Sequence, residues 1–180
     1  MTKPEDIRRL YDRAKSGAWD EVIAAWEKSS KVAALSARYR RTTSGWTFLH
    51  QAAYFGNEAA CRMLIRFGAS VDATSRERET AADVAVDHHF ARLAELLRHA
   101  AVGVGSLWRA PEDPKHRPSS CLWMEAAERR AAEAMSVAYG GGVVRIRKGK
   151  RYYVDSFERV LIGFHGTYDP PSGMDGEPMI

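Results

Sequence analysis

Gly45-Trp46-Thr47-Phe48-Leu49-His50-Gln51-Ala52-Ala53-Tyr54-Phe55-Gly56-Asn57, then Glu58-Ala59-Ala60-Cys61-Arg62-Met63-Leu64-Ile65-Arg66-Phe67, then Gly68-Ala69-Ser70-Val71-Asp72-Ala73, decides how this chain folds. The stretch reads as turn, short helix, glycine corner, second helix and glycine stop. Thr47 is placed as an N-cap whose hydroxyl accepts from an orphan backbone N–H of the first helix. Gly56 and Gly68 stand where a helix ends and the chain turns through positive φ. Leu49, Ala52 and Ala53 share one face of the first helix, and Cys61, Leu64 and Ile65 recur at helical spacing on the second. Two helices this short cannot bury their apolar faces alone.

With Gly45, Thr47, Leu49, His50, Ala52, Ala53, Gly56, Leu64, Gly68 and Ala69 in register, the stretch resembles an ankyrin repeat, whose signature runs Gly-x-Thr-Pro-Leu-His-x-Ala-Ala, then Gly, Leu-Leu and Gly-Ala. Phe48 stands in place of the usual proline; the turn is less pre-organised, but Thr47 keeps the cap. A period of about 33 residues maps Thr47 onto Thr80, Ala52 onto Ala85 and Leu64 onto Leu97, so a second unit is present. It is degenerate in the manner of a terminal repeat, with Arg78 for the turn glycine, Asp83 for the histidine and His89 for the corner glycine. Thr80-Ala81-Ala82-Asp83 still offers a cap with an acid in the first turn. Upstream, Pro4-Glu5-Asp6 opens a helix, Gly17 supplies a corner, and Asp20 to Trp26 starts another. Gly17 to Gly56 exceeds the period by about six residues, which predicts a capping unit with an enlarged loop over residues 29–44 that carries Arg38, Arg40 and Arg41.

With 180 residues, 45% hydrophobic and 28% charged, the chain has the means for one sizeable core or two small ones, which excludes a disordered tail. No apolar run is long enough to cross a bilayer, and Met1 to Arg9 lacks the apolar middle of a secretory signal. The expectation is an intracellular, cytoplasmic protein with no membrane contact. Cys61 occupies an apolar helix position and Cys121 lies near the start of a predicted helix, so free thiols are expected. A net charge of +4 does not amount to the dense basic stripe of a nucleic-acid domain.

Beyond about His99 the repeat pattern stops. Residues 102–120 are rich in Gly, Pro and Ser and read as a linker. Leu122 to Ala138 reads as a helix, with Trp123, Ala127, Ala131 and Ala134 on one face, ended by Gly140-Gly141-Gly142. Val143 to Arg147, Arg151 to Asp155 and Arg159 to Phe164 then alternate with period two, the first pair joined by a hairpin turn at Lys148-Gly149-Lys150. Val144 and Ile146 share one face, as do Val160, Ile162 and Phe164. Asp169 to Pro178 carries too much Pro and Gly for regular structure. The expected fold is mainly α: a short ankyrin-like helical solenoid of two to three repeats over residues 1–102, a Pro/Gly-rich linker over 103–121, and over 122–180 a small α+β module of one helix and a three-stranded antiparallel meander with an irregular tail.

Catalytic chemistry finds little support. His50 reads as a backbone-bonding residue that fixes the turn, and His88 and His89, being adjacent, point apart on a helix. No Cys-x-x-Cys, His-Glu-x-x-His or phosphate-cradling glycine loop is present. Phe164-His165-Gly166-Thr167 resembles the His-Gly-Thr strand of poly-ADP-ribosyltransferase-like enzymes, but only 13 residues follow Thr167, where that family needs further strands with a tyrosine and a glutamate. The expectation is a non-enzymatic protein with no catalytic residue, no metal site and no cofactor. Arg145, Arg147, Lys148, Lys150 and Arg151, with Tyr152 and Tyr153 beside them, offer an alternative: phosphate contacts for a nucleotide or nucleic acid.

The ankyrin resemblance implies a protein-protein recognition module. Its target-facing positions fall on Ser44, Trp46, Tyr54 and Phe55 in the intact unit and on Arg76, Glu77, Glu79, Asp87 and His88 in the next. Large aromatics at such positions either anchor an interface or pack within the molecule, against residues 29–44 or the C-terminal module.

Overall fold

The computed structural model describes residues 4–105, 107–172 and 174–180, and the chain divides into two compact units, one ending at Ala101 and the other beginning at Val102.

The first unit is helical: α1 (Pro4–Lys15), α2 (Trp19–Lys28), α3 (Ser30–Arg38), α4 (Phe48–Tyr54), α5 (Glu58–Arg66), α6 (Ala81–Asp87) and α7 (Ala91–Ala100). The pair α4/α5 is the repeat read from residues 45–73. The pair α6/α7 stacks beside it, α6 on α4 and α7 on α5. Threonine caps open both inner helices. Thr47 Oγ1 accepts from His50 N (3.4 Å), and Thr80 Oγ1 from Asp83 N (3.2 Å). In each case the third helical residue reaches back to the threonine N–H, at 3.2 Å for His50 Nδ1 and 2.9 Å for Asp83 Oδ2.

On the other side of α4 the chain departs from the expectation. Much of the segment read as an enlarged loop, residues 29–44, is helix α3, capped by Ser29. Helix α1 packs on α4, while α3 packs on α5. Arg38 ties this contact down, its Nη1 donating to the carbonyls of Ala34 (2.7 Å) and Phe67 (2.9 Å). The extra residues therefore supply a full outer helix.

Phe48 accounts for the missing proline. Its ring is completely buried among Tyr11 (5.2 Å between ring centroids), Trp26 (5.6 Å) and Tyr39 (5.9 Å). The aromatic cluster joins α1, α2 and the end of α3 to the first repeat, a service a pyrrolidine ring cannot give. The corners keep left-handed backbone whether or not glycine is there: Gly45 and Gly56 have φ of 74° and 65°, and Arg78 and His89, which replace them one period later, both have φ of 66°.

The second unit is built of strands and corrects much of the sequence reading. Its strands are β1 (Ser119–Ser120), β2 (Ala127–Arg130), β3 (Met135–Tyr139), β4 (Gly142–Ile146), β5 (Arg151–Val154) and β6 (Val160–Leu161). One sheet has the order β1-β6-β5-β2, with β1 parallel to β6; β3 and β4 form an antiparallel hairpin. The expected helix over 122–138 does not form. Its residues give a single 3-10 turn at Trp123–Glu125 followed by β2 and β3. Gly140 and Gly141, expected to end that helix, form the hairpin turn, both at positive φ (50° and 85°), as a tight two-residue turn requires.

The expected meander is replaced as well. Lys148-Gly149-Lys150 does connect β4 to β5, but β4 pairs with β3 and β5 with β2 and β6. The turn bonds back to Ala131 instead, Gly149 N donating to its carbonyl (2.7 Å) and Ala131 N to that of Lys150 (2.9 Å). The third strand stops at Leu161, and Phe164, expected on the face of Val160 and Ile162, is 72% exposed within a turn closed by Gly163 N to Thr167 O (2.7 Å). The stretch read as a linker supplies β1, with Val160 N donating to Pro118 O (3.0 Å) and Ile162 N to Ser120 O (3.1 Å). Ala131, Val137, Ile146, Tyr152, Val154, Val160 and Ile162 make the core. A buried pair fixes the β5–β6 turn: Asp155 Oδ1 accepts from the backbone N of Phe157 (2.9 Å) and Arg159 (3.0 Å), and Oδ2 accepts from Arg159 Nε (2.8 Å).

Two stability effects follow from the first unit. Phe48→Pro restores the family residue at a first helical position that tolerates it, after a Thr47 already at φ −105°, ψ 172°; loss of the ring from the cluster is nevertheless expected to destabilise by about 3 kcal/mol in urea unfolding. His89→Gly relieves a left-handed non-glycine residue and is expected to stabilise by about 0.5–1 kcal/mol in the same assay.

Candidate functional site

The loop before α4 is built as a small hairpin. Arg40 and Thr47 form an antiparallel bridge, Arg41 N donates to Trp46 O (2.8 Å) and Gly45 N to Arg41 O (2.8 Å). Glycine is needed at position 45, because a Cβ there would lie 3.0 Å from the backbone N of Arg76. That close approach joins the two loops, Arg76 N donating to Ser44 O (2.9 Å). Two guanidiniums lace them further: Arg40 donates to Thr74 O, and Arg76 Nη2 to Thr42 O (2.6 Å).

His50 is the second link between the loops. Its Nδ1 accepts from Thr47 N (3.2 Å), so the proton sits on Nε2, which donates to Glu79 O (3.0 Å). The imidazole is almost completely buried. Burial is the main cause that holds its pKa below the ordinary value; the Arg40 charge pushes the same way, against the bond to Glu79. In the second repeat Thr80 holds the carboxyl of Asp83 below the usual carboxylate range, by its hydroxyl first and its N–H second.

Between this loop, α1 and the end of α4 lies a groove of about 510 Å³ lined by Tyr11, Lys15, Arg41, Thr43, Ser44, Trp46, Gln51, Tyr54 and Phe55. All four residues predicted from the intact repeat, Ser44, Trp46, Tyr54 and Phe55, line it. Their rings form a continuous row. Trp46 lies 5.7 Å from the His50 ring and 6.1 Å from Tyr54, and Tyr54 lies 5.1 Å from Phe55. Trp46 and Ser44 are half-buried, whereas Tyr54 and Phe55 are 40% and 37% exposed. The floor is polar at one point, where Gln51 Nε2 donates to the buried Tyr11 hydroxyl (2.9 Å); burial raises the Tyr11 pKa. Arg41 Nη1 donates to Asp12 Oδ1 at 2.6 Å.

The residues predicted from the second repeat lie outside the groove lining. His88 continues the aromatic row, its ring 4.0 Å from that of Tyr54, and Asp87 is exposed beside it. Arg76 and Glu77 are exposed on the second loop; Glu79 is half-buried, its carbonyl held by His50 and by Ser75 N (2.8 Å). Sequence reasoning missed Tyr11, Lys15, Arg41, Thr43 and Gln51 as lining residues. Tyr11 follows Ile7 at helical spacing and reads as core, which it also is, and nothing in the local pattern marks Lys15.

The five basic residues read as phosphate contacts, Arg145, Arg147, Lys148, Lys150 and Arg151, are all exposed. They do not form one platform, since Arg145 lies on β4, Arg151 on β5 and the rest on the turn between. Tyr152, read as a stacking residue, is a core residue. Of the acids near them in sequence, Asp155 is paired with Arg159 and Glu158 with Arg129 (2.6 Å). Phe164 to Thr167 lies in a turn, where His165 is exposed. Cys61 and Cys121 are both free thiols, and burial pushes the Cys61 pKa far up. Among the described residues no helix is long and apolar enough to cross a membrane.

Stacked helix pairs with laced loops on one edge define a repeat protein that presents a surface. Residues 49–98 match the family model described as ankyrin repeats (many copies), and this part of the chain is ankyrin repeat. Ankyrin repeats generally mediate protein-protein interaction and are typically non-catalytic.

The buried neutral imidazole sets the acid limb of stability. Because His50 binds its proton less readily folded than unfolded, its contribution is complete above its ordinary pKa of 6.5 and is lost as pH falls below that value. The melting temperature is expected to drop between neutral pH and pH 5.5, with a slope of at most about 1.4 kcal/mol per pH unit from this one group. His50→Gln, which does not titrate, should flatten that part of the profile in calorimetric scans.

Proposed function

We propose that this chain is a protein-protein recognition module whose working surface is the aromatic groove of its helical unit, with no chemical step. Its contact residues are Ser44, Trp46, Tyr54 and Phe55, extended over His88 and Asp87, with Arg76, Glu77 and Glu79 on the adjoining loop. One observation carries the reading. The target-facing positions of the intact repeat, Ser44, Trp46, Tyr54 and Phe55, coincide here with a groove, and two of the three aromatics in it leave more than a third of their surface open. Large rings in a concavity are the side chains that anchor interfaces, because they cover much area at little cost in side-chain entropy. The surface is stiff before any partner arrives. Its loop is held by His50 and by Arg40 and Arg76, so little ordering entropy is lost on docking.

The double variant Trp46→Ala, Tyr54→Ala tests this. Proteins retained by the immobilised intact chain are expected to be lost with the variant, each truncation weakening binding by about 2 kcal/mol or more, while the melting temperature changes little. Undiminished retention, or a collapse of the fold, would place these rings in an internal role.

A further inference from the structure

The proposed groove also carries information on what it binds, and the following rests on that reading. We infer that its occupant is an acidic segment of a partner protein bearing an aromatic anchor, the anchor lying against Trp46, Tyr54 and Phe55 and an adjacent carboxylate meeting the Lys15 ammonium.

The charges are one-sided. The two charged side chains that line the groove are Lys15 and Arg41, both cationic, and no carboxylate lines it. Asp12, the acid next to it, is held by Arg41 at 2.6 Å, which balances that charge locally. Lys15 is exposed at the end of α1 and has no ion-pair partner among the described residues. A ring cluster can also cage a cation, but such cages work by adding negative potential around it. Here a bound cation would meet the uncompensated Lys15 ammonium instead. An anion beside an apolar side chain meets the opposite situation: rings below the apolar part and an unpaired ammonium at the edge. The volume of about 510 Å³ lies within the roughly 300–1,000 Å³ usual for ligand pockets, enough for a short run of side chains. The Lys15 contact lies on the rim, so it acts on association and selectivity and weakens as salt screens it.

The experiment pans a phage-displayed random peptide library against the intact chain and measures synthetic versions of the recovered peptides by fluorescence anisotropy. Recovered sequences should combine Asp or Glu with Trp, Phe or Tyr. Lys15→Glu should weaken them by about tenfold, Tyr54→Ala should abolish them, and raised salt should reduce binding to the unaltered chain. Exchange of the peptide acid for lysine should restore binding to Lys15→Glu, which a general loss of folding would not do. Peptides that are neutral or basic, yet lost in Tyr54→Ala, overturn the acidic occupant while leaving the groove as the binding surface. Peptides indifferent to Tyr54→Ala, or no recovered peptide at all, overturn both.

Discussion

One imidazole holds the repeats in step. His50 closes the cap of its own helix through Nδ1 and grips the following loop through Nε2, so a single buried ring fixes a helix start, a loop and the distance between two repeats. It can do so only as a neutral tautomer with one acceptor and one donor nitrogen. Asp83 shows the limit of the substitution. An ionised carboxylate caps Thr80 as well as the histidine caps Thr47, but it has no proton to give to a further carbonyl. The link between successive loops therefore ends at this repeat, consistent with a terminal unit. Trp46 lies beside His50, their ring centroids 5.7 Å apart, so the groove borders the same ring.

The N-terminal side of the stack is completed differently. Three helices do the work of a repeat there, α1 against the inner helix and α3 against the outer. Phe48 makes this possible. At a position where the family uses proline to stiffen a turn, this chain uses a large ring that four elements share, so the rigidity comes from packing. The same substitution brings Tyr11 under the groove, since one aromatic serves both the cluster and the polar floor with Gln51. The groove is thus a by-product of how the stack is capped.

The helical unit was legible where residues act locally. Thr47 and Thr80 mark their caps, and Gly45 and Gly56 their turns, by rules that need no distant partner. Even Arg78 and His89 were identifiable as replacements of turn glycines, though not that the backbone keeps its left-handed shape beneath them. Helix α3 was missed because the residue count was taken as loop; Ser29 followed by an alanine-rich run was the available signal. In the second unit the alanine-rich composition around Ala126 to Ala134 suggested a helix, but strand pairing overrode propensity, as it commonly does in sheets. Gly140-Gly141 between Val137-Ala138-Tyr139 and Val143-Val144 was the better signal, two positive-φ residues between β-formers. Of the groove, the rings were readable from the repeat register; Lys15 and Tyr11 were not, because they arrive from a helix whose placement depends on packing.

The parallel pairing of Ser119–Ser120 with Val160–Leu161 joins segments about forty residues apart, the kind of non-local closure that slows assembly. Between them lie the tight β3–β4 hairpin and the β2–β5 pair that encloses it. Until Leu161 has left the ribosome, therefore, the four-stranded sheet lacks β6, and Ser119 and Ser120, destined for the interior, are without the strand they pair with. The topology sets the spans to be closed: the β3–β4 hairpin the shortest, the β1–β6 clasp the longest.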